Sequence, residues 1–352
     1  MKLERIAQEG YEQVVKCEDP ESGLRAVIAV HNTTLGPALG GLRMWPYASW
    51  DDAIFDVLRL SRGMTYKSAV ADTGLGGGKS VIIGNPKTEK TEQLFRAMGR
   101  FVDTFDGKYI TAEDVGTSVE DMVHVRAETT RVTGLPLEMG SSGDPSPWTA
   151  LGCFHGIRAC LEEAFGSPDF TGRTIAIQGC GHVGEFLARD LHKAGAELML
   201  ADISPERAKA LAEETGGTVV DPAEILSVEC DVFAPCALGA VVNDETLDKL
   251  HCKVIAGAAN NVLLREEHGL RLKEAGILYA PDYVINAGGI INVSIEVEGE
   301  YEAERSRKKV ENIYVALKRV FEIAKEQNIS TNEASNHLAE ERLARGRATA
   351  DA

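Results

Sequence analysis

The sequence predicts an α/β protein built from two domains, and three observations lead to this fold class. The chain has 352 residues, which is more than one hydrophobic core usually serves. Strand-like apolar runs alternate with helical patterns over residues 174–280, as in a doubly wound parallel sheet. A loop rich in turn-forming residues at 140–147 separates this region from a mixed α/β stretch before it. We therefore expect a first, mixed domain at 1–140 and a second, doubly wound domain at 141–329, with a cleft between them. A final helix at about 330–352 is expected to pack back on the first domain.

Strands and capped helices are predicted throughout the first domain. Strand patterns occupy residues 24–31, 80–84 and 108–112. Ser49 is placed to cap one helix and Thr91 to cap a second, and each is followed by apolar residues at helical spacing.

The second domain is predicted from one long helix and five strands. The helix follows the loop at 140–147 and repeats apolar residues from 152 to 165. Helical patterns separate most of the strands, which is typical of a parallel sheet. These strands are predicted at residues 174–178, 198–201, 231–234, 253–256 and 277–280.

Composition and charge narrow the classes of function. Hydrophobic residues make up 44% of the chain and charged residues 26%, as in ordinary globular proteins. No apolar run approaches the ~18 residues of a membrane-spanning helix, and the first residues do not resemble a signal peptide. The net charge of −17 repels nucleic acids and anionic membranes. The seven cysteines form no Cys-x-x-Cys pair, so we expect neither disulfides nor a metal site. The sequence thus predicts a cytoplasmic protein with no nucleic-acid or membrane partner.

A glycine-rich turn follows the first strand of the second domain. The strand at 174–178 runs into a Gly-x-Gly-x-x-Gly pattern, and a helical pattern follows. In this context the first glycine permits a tight turn, and the second lets the backbone approach a pyrophosphate. The third allows the helix to pack closely on the strand. The sequence therefore predicts a Rossmann-type domain that binds a dinucleotide through this turn. Its residues are Gly179, Cys180, Gly181, His182, Val183 and Gly184.

An acidic residue after the second strand bears on the choice of cofactor. Asp202 lies roughly 20 residues beyond the turn, where a carboxylate bonds the ribose 2′-hydroxyl and repels a 2′-phosphate. This favours NAD over NADP, and we expect Asp202 and Ile203 to line the cofactor site. The alternative is that Asp202 is only a solvated turn residue.

Two lysines near glycines stand out in the first domain. Lys67 follows Gly63, and Lys79 follows three consecutive glycines. The second pattern resembles a P-loop, but Thr73 stands at its first glycine position and a strand follows the lysine, so ATP binding is not expected. We expect Lys79 to lie on a tight glycine turn, buried against backbone, and the two lysines to lower each other's pKa across one cleft. The alternative is that both are solvated surface charges.

Eight sequence blocks between residue 36 and about residue 293 carry a family resemblance. They include Gly-Gly-Gly-Lys at 76–79 and Pro-Asp-Tyr-Val-Ile-Asn-Ala-Gly-Gly at 281–289. The chain resembles the leucine/phenylalanine/valine branch of the glutamate dehydrogenase superfamily, and its leucine-oxidising members most closely. The resemblance covers nearly the whole chain, although Ala240 stands where some relatives have a glycine. The remaining blocks are 36–41, 62–67, 109–117, 143–147, 234–239 and 258–261.

This resemblance implies roles for residues of both domains. Lys67 would hold the substrate α-carboxylate with the help of the Asn261 amide. Lys79 would be the general base that activates water, and Asp114 would shuttle protons to and from the amino group. Asp114 could equally be the N-cap of the helix predicted from Val119. The cofactor face of the cleft would also be lined by Thr149, Cys236, Ala237 and Asn260.

The positions that match the family's substrate pocket are apolar or small. A glutamate-specific site needs a basic partner for the side-chain carboxylate, and these positions supply none. The resemblance thus implies reversible, NAD-dependent conversion of L-leucine and other branched-chain L-amino acids to 2-oxo acids and ammonia. A phenylalanine dehydrogenase with the same chemistry is the alternative, although Ala112 occupies a position where that relative often has glycine. The pocket positions are Leu39, Gly40, Met64, Ala112 and Val293.

The resemblance also implies partners. These are the small molecules of the reaction and further copies of the chain, in a homo-oligomer that is an octamer among leucine-oxidising relatives. A rival from another class is a non-catalytic protein that senses NAD, against which the presence of Lys67, Lys79 and Asp114 argues.

Overall fold

The computed structural model describes residues 1–350, and these form two compact units. The first unit comprises Met1–Asp144, Val293–Ala303 and residues 340–350. The second comprises Pro145–Asn292 and Glu304–Ala339. The first unit extends beyond the expected boundary at residue 140 and takes in residues 293–303, which the sequence assigned to the second domain. Its C-terminal part begins inside the helix expected at about 330–352.

A six-stranded mixed sheet forms the frame of the first unit in the described part of the chain. Its strands are β1 (Lys2–Arg5), β2 (Gln13–Asp19), β3 (Leu24–Asn32), β4 (Ala38–Trp45), β5 (Gly76–Ile83) and β6 (Tyr109–Glu113). They lie side by side in the order β1-β2-β3-β5-β4-β6. The pairs β1–β2, β2–β3 and β3–β5 are antiparallel. The pairs β5–β4 and β4–β6 are parallel. The carboxyl ends of β4, β5 and β6 therefore lie at one edge of the sheet.

Helices cover both faces of this sheet. They are α1 (Trp50–Val70), α2 (Glu92–Asp103) and α3 (Val119–Arg126). Ser49 and Thr91 cap α1 and α2 as predicted, since each side chain accepts a hydrogen bond from the backbone N–H three residues on, at 3.1 Å. Val81 packs in the core under α1, and its neighbour Ile82 packs in the core under α2. This alternation places α1 and α2 on opposite faces.

The three glycines before Lys79 lie within β5, so the prediction of a tight glycine turn there was wrong. Left-handed backbone occurs before this strand, at Asp72 with φ of +52° and at Gly74 with φ of +72°. A Cβ on Gly77 would lie 2.1 Å from the backbone nitrogen of Thr65 in α1, and a Cβ on Gly78 would lie 2.7 Å from the Tyr109 ring. The glycines thus let a helix backbone and an aromatic ring approach the strand, which buries Lys79 in the middle of the sheet.

A six-stranded parallel sheet forms the frame of the second unit among the described residues. Its strands are β7 (Thr174–Gln178), β8 (Glu197–Ala201), β9 (Thr218–Val219), β10 (Val232–Pro235), β11 (Val254–Ile255) and β12 (Leu278–Tyr279). They lie in the order β12-β11-β10-β7-β8-β9, with every pair parallel. The five predicted strands are present, and β9 is an additional short one. The chain thus starts at the centre of the sheet, builds one side and then the other, which is the doubly wound order. The mixed and the parallel sheet confirm the predicted α/β fold class.

The remaining helices belong to the second unit or divide between the two units at the residues given above. They are α4 (Ser146–Phe165), α5 (His182–Lys193), α6 (Pro205–Thr215), α7 (Glu267–Glu274), α8 (Asp282–Ile285), α9 (Gly288–Glu298), α10 (Ala303–Glu311), α11 (Ile313–Gln327) and α12 (Thr331–Ala350). Single 3-10 turns lie at Leu137–Met139, Ile225–Ser227 and Leu247–Lys249. None of the helices within residues 1–350 combines the length and apolar character needed to cross a bilayer.

Candidate active site

The parallel strands of the first unit bring a lysine and an aspartate into contact. Lys79 lies in the middle of β5 and is only 5% exposed. Asp114 is the residue after the last residue of β6. Lys79 Nζ lies 3.0 Å from Asp114 Oδ2. The predicted base and the predicted proton shuttle therefore form a direct ion pair in which Lys79 is buried and Asp114 is partly buried, so Lys79 is not a surface charge.

A tight turn after β6 holds Asp114 in place. The Asp114 N–H donates to Thr117 Oγ1 at 2.9 Å, and the Thr117 hydroxyl lies 2.8 Å from the Leu42 carbonyl oxygen on β4. A Cβ on Gly41 would lie 2.7 Å from Asp114 Cβ, so only glycine leaves room for the carboxylate there. The N-cap of α3 is Ser118. The alternative reading of Asp114 as that cap is therefore wrong.

Arg43 is a part of this site that the sequence analysis missed. Its Nε lies 3.0 Å from Asp114 Oδ2, and its Nη1 lies 3.0 Å from Asp56 Oδ2 on α1. Tyr47 donates a further hydrogen bond to Asp56 Oδ2 at 2.6 Å. The alternation of side chains along a strand could have indicated it. Arg43 lies two residues after Gly41 on β4, and side chains two residues apart in a strand lie on the same face of the sheet.

The charges around the pair shift both of its pKa values. Burial lowers the pKa of Lys79 below its usual range; the Asp114 carboxylate opposes this shift, and the Arg43 cation reinforces it. Burial of Asp114 acts to raise its pKa, but Lys79 and Arg43 outweigh it and hold the pKa of this carboxyl below its usual range. Asp114 is therefore an anion near neutrality, beside an amine that gives up its proton more easily than an ordinary lysine.

Two of the residues predicted to bind the substrate lie on the same sheet face as the ion pair. Leu39 on β4 pairs with Gly77, and Ala112 on β6 pairs with Gly41. Because side chains alternate along strands, Leu39 and Ala112 share the face that carries Lys79. Each of them has a glycine as its partner on the neighbouring strand, so Leu39 and Ala112 leave an apolar surface beside the charged groups of this face.

Three further predicted substrate residues also belong to the first unit. Lys67 and Met64 lie on α1, close in sequence to Thr65, whose backbone packs against Gly77 of β5. Val293 lies on α9. Lys67, Met64 and Val293 are all partly exposed. Gly40 lies against the Gly78 carbonyl, which a Cβ would approach within 1.8 Å, so Gly40 offers only its backbone.

The glycine-rich turn of the second unit has the geometry of a phosphate cradle. Gly179 adopts a left-handed φ of +104°. A Cβ on Gly184 would lie 2.0 Å from the Gly179 carbonyl oxygen, so this glycine permits the close packing of α5 on the turn. Gly181 begins α5 without a side-chain cap in the described structure, and the space in front of its Cα is open. The backbone N–H groups of the first turn of α5 are thus available to bind an anionic ligand.

This turn lies where the strand order of the sheet reverses. The ends of β7 and β10 are adjacent, with Pro235 paired to Gln178, and the chain leaves them towards opposite sides. Ligands of doubly wound sheets bind at such a point. The Cys236 N–H donates to the Gln178 carbonyl at 2.7 Å, and a Cβ on Gly179 would lie 2.8 Å from Ala237 Cβ. Cys236 and Ala237 therefore form one surface with the turn.

Asp202 is tied to the glycine-rich turn and is more than a solvated turn residue. Its Oδ2 accepts a hydrogen bond from the Cys180 N–H at 2.7 Å, and its Oδ1 accepts one from the Ser204 N–H at 2.8 Å. A carboxylate has about four acceptor positions, so two remain for ribose hydroxyls. Ile203 beside it is 95% exposed.

Three more predicted residues lie in the second unit. Asn286 donates to Asn260 Oδ1 at 2.7 Å and so fixes the direction of the Asn260 amide. Asn261 has φ of +52°, and its carbonyl accepts from the N–H of Ala240, whose φ of +58° is a backbone conformation that glycine adopts more readily than alanine. Thr149 lies in the first turn of α4, where its hydroxyl donates to the Pro145 carbonyl at 3.1 Å.

The two cysteines near the glycine-rich turn, Cys180 and Cys236, are protonated thiols. Burial raises the pKa of Cys236 to about 11 and that of Cys180 to about 12, so neither is a thiolate near neutrality. Within residues 1–350 no group of three or more His, Cys, Asp or Glu side chains is placed to hold a metal ion.

Comparison with known proteins connects both units to one family. Residues 11–131 match the family model for Glu/Leu/Phe/Val dehydrogenase, dimerisation domain, and residues 200–350 match that for Glutamate/Leucine/Phenylalanine/Valine dehydrogenase. A leucine dehydrogenase from Thermoactinomyces intermedius is 56% identical over 95% of this chain and 91% of its own length. A phenylalanine dehydrogenase from the same organism is 49% identical over 97% of this chain and 93% of its own length. The crystal structure of L-tryptophan dehydrogenase from Nostoc punctiforme matches with a TM-score of 0.87 and 46% identity, covering 96% of this chain and 97% of that one.

Proposed function

This chain belongs to the Glu/Leu/Phe/Val dehydrogenase family, and we propose that it converts L-leucine and other branched-chain L-amino acids reversibly to 2-oxo acids and ammonia, with NAD⁺ as the oxidant. The observation that carries this proposal is the ion pair between the buried Lys79 and the partly buried Asp114, in contact at 3.0 Å on a sheet face that also carries Arg43. Such a pair suits a reaction that moves protons from water and to a leaving amino group.

The residues of the second unit fit a nicotinamide dinucleotide, the kind of cofactor that this family generally uses. The turn at 179–184 would hold the pyrophosphate, because its second glycine leaves the backbone open and α5 presents free amides. Asp202 would accept from the ribose hydroxyls and repel a 2′-phosphate, which supports NAD⁺ over NADP⁺. Thr149, Cys236, Ala237 and Asn260 would line the rest of the site. When bound, NAD⁺ accepts the hydride that leaves the substrate Cα.

The residues of the first unit supply the proton chemistry. Lys67 would bind the substrate α-carboxylate, aided by the Asn261 amide, and so fix Cα. Neutral Lys79 would take a proton from water as the water adds to the iminium carbon of the oxidised substrate. Asp114 would pass the proton to the amino group that lets ammonia leave. Its negative charge stabilises the positive charge that develops on Lys79 and on the substrate nitrogen.

An apolar pocket supports a branched aliphatic substrate. Leu39, Met64, Ala112 and Val293 present no charge to a substrate side chain, and Gly40 presents only backbone. Each methylene buried there contributes about 0.8 kcal/mol, whereas a buried carboxylate without a partner costs several times more. The high identity to a leucine dehydrogenase supports the same substrate class.

An aromatic amino acid is the second candidate substrate. The 49% identity to a phenylalanine dehydrogenase and the fold match to a tryptophan dehydrogenase favour it. Ala112 argues against it, since its methyl group takes space that a ring needs.

The reaction can be tested by following NADH formation from NAD⁺ and L-leucine. We expect turnover with L-leucine, none with D-leucine, and release of ammonia in equal amount to NADH. A protein that binds NAD⁺ but turns over no amino acid in either direction would instead be a non-catalytic NAD sensor.

Assembly and location complete the proposal. The match of residues 11–131 to a dimerisation domain supports a homo-oligomer, and we expect an octamer in sedimentation velocity. No cysteine within residues 1–350 is paired in a disulfide, which supports a reducing, cytoplasmic location.

A further inference from the structure

The ion pair of Lys79 and Asp114 is one end of a longer chain of charges. Arg43 Nε lies 3.0 Å from Asp114 Oδ2, the same oxygen that Lys79 Nζ contacts at 3.0 Å. Arg43 Nη1 lies 3.0 Å from Asp56 Oδ2, to which Tyr47 donates at 2.6 Å. The catalytic carboxylate is thus shared between two cations, and the second cation is itself held by a second carboxylate.

The position of Arg43 is fixed from three sides. Its backbone on β4 pairs with Val81 on β5, and its guanidinium bridges two carboxylates from different elements. Asp56 is only 8% exposed and also accepts from Arg59 Nε at 2.8 Å. A planar guanidinium loses little further freedom when it makes two such contacts. Arg43 is therefore a rigid support for Asp114 and not a mobile surface charge.

We propose that Arg43, anchored by Asp56, is a positioning residue that turns Asp114 towards Lys79 and supplies the second positive charge of the site. The proposal rests on the proposed function, because it takes Lys79 as the base. Without Arg43, Asp114 and Lys79 would form a simple ion pair, which favours a protonated and inactive lysine. With Arg43 in place, Lys79 shares its counter-ion.

The charges that act on Lys79 come from three places: Arg43 on β4, Asp56 on α1 and Asp114 after β6. Arg43 adds to the lowering of the Lys79 pKa that burial causes, whereas Asp114 and Asp56 oppose it. Arg43 and Asp56 therefore act with opposite sign on the same amine, although they contact each other. The other titratable groups on the elements packed around β5 stay unchanged in the test below: they are His31 on β3, Lys67 on α1, Tyr109 and Glu113 on β6, and Tyr47 after β4.

The test is the pH dependence of kcat/KM for Arg43→Gln and Asp56→Asn. The parent should gain activity with rising pH as Lys79 loses its proton. Arg43→Gln should move this acidic limb to higher pH by on the order of one unit, hence a roughly tenfold loss at a fixed pH on the limb. Its plateau should fall as well, because Asp114 loses one restraint. Asp56→Asn should move the limb to lower pH.

Two further variants separate charge from geometry. Arg43→Lys keeps the charge but cannot bridge both carboxylates, so its limb should stay near that of the parent while its plateau falls. Arg96→Gln is the matched control, since Arg96 is a half-exposed arginine of the same unit that pairs with a different carboxylate, Glu128. It should keep the parent's limb and plateau.

A second readout does not depend on turnover. Trace acetylation of Lys79 at increasing pH, followed by mass spectrometry, gives the midpoint at which the amine becomes reactive. The same opposite shifts should appear for Arg43→Gln and Asp56→Asn. Shifts in the same direction, or none in folded variants, overturn the inference. If Arg43→Gln does not fold, the other two variants test the inference: Asp56→Asn should move the limb and the midpoint to lower pH, and Arg43→Lys should lower the plateau with little change in the limb. Failure of the proposed function would show separately, as a parent with no amino-acid-dependent NADH formation.

Discussion

The position of Lys79 in a strand gives this residue its chemistry. An exposed lysine stays protonated near neutrality, whereas burial in β5 lowers the pKa of Lys79. Asp114, at 3.0 Å, limits that shift. An amine balanced in this way can both take a proton from water and release it again, which is what a base in a reversible reaction must do.

Replacing Lys79 tests its role as the base. Lys79→Ala should lower kcat by about 100-fold or more, since general-base catalysis contributes about 10²–10⁴-fold. NAD⁺ binding should survive, because the turn at 179–184 belongs to the other unit. Steady-state kinetics and calorimetric titration with NAD⁺ measure the two effects. Lys87→Ala, at an exposed lysine of the same unit, is the control. Near-parental turnover of Lys79→Ala would remove Lys79 from the base role.

Replacing Asp202 tests the choice of cofactor. The parent should prefer NAD⁺ to NADP⁺, and Asp202→Asn should reduce kcat/KM for NAD⁺ by about tenfold or more, because a hydrogen bond to a charged group is worth about 1.5–3 kcal/mol. NADP⁺ should lose less. Asp221→Asn is the control, since Asp221 also accepts from a backbone N–H two residues on. Equal use of both cofactors by the parent would refute the assignment.

At the scale of elements, the site depends on how closely α1 approaches β5. Gly77 permits this approach, because a Cβ there would meet the backbone of Thr65. The Ser68 hydroxyl on the same helix lies 3.3 Å from the Gly76 carbonyl oxygen, within hydrogen-bonding distance. Lys67, which would bind the substrate carboxylate, is thereby carried by the helix turn that packs on the strand of Lys79.

Gly77→Ala should therefore cost both stability and activity. The new methyl group forces α1 away from β5, which should destabilise the fold by about 1–3 kcal/mol and displace Lys67 from Lys79. Gly63→Ala on the same helix has open space around it and should be neutral or stabilise by up to about 1 kcal/mol. Urea unfolding compares the two. Equal stability of both variants would show that the close approach is not required.

Local patterns were sufficient to predict many elements from the sequence, but not the contacts between them. The cap residues Ser49 and Thr91 and the strand before the glycine-rich turn follow from spacing within a few residues, and the structure has them there. Arg43 was missed because its partner Asp114 lies 71 residues away along the chain. The glycines before Lys79 were misassigned for the same reason, since their close neighbour is a helix backbone and not a local turn.

At the scale of the whole molecule, the predicted site residues divide between the two units. Lys67, Lys79 and Asp114 lie in the first, and the turn at 179–184 with Asp202 lies in the second. Residues 293–303 return to the first unit, which no local pattern indicates, because continuous helical spacing looks alike on either side of such a boundary. Val293 was predicted as a substrate-binding residue from the family resemblance, because the periodicity of apolar residues gave no reason to choose it.

The most direct test of the account is a kcat/KM series at fixed NAD⁺ with leucine, isoleucine, valine, phenylalanine, tryptophan and glutamate. Discrimination by an apolar pocket is weak, about 10–200-fold for one methylene. Leucine, isoleucine and valine should therefore all react, within about two orders of magnitude of one another. Phenylalanine and tryptophan should be poor substrates because Ala112 and Val293 leave little room for a ring. Glutamate should be inert, because its side-chain carboxylate would be buried without a partner. Glutamate ranking beside leucine, or an aromatic amino acid ranking above it, would contradict the pocket proposed for this chain.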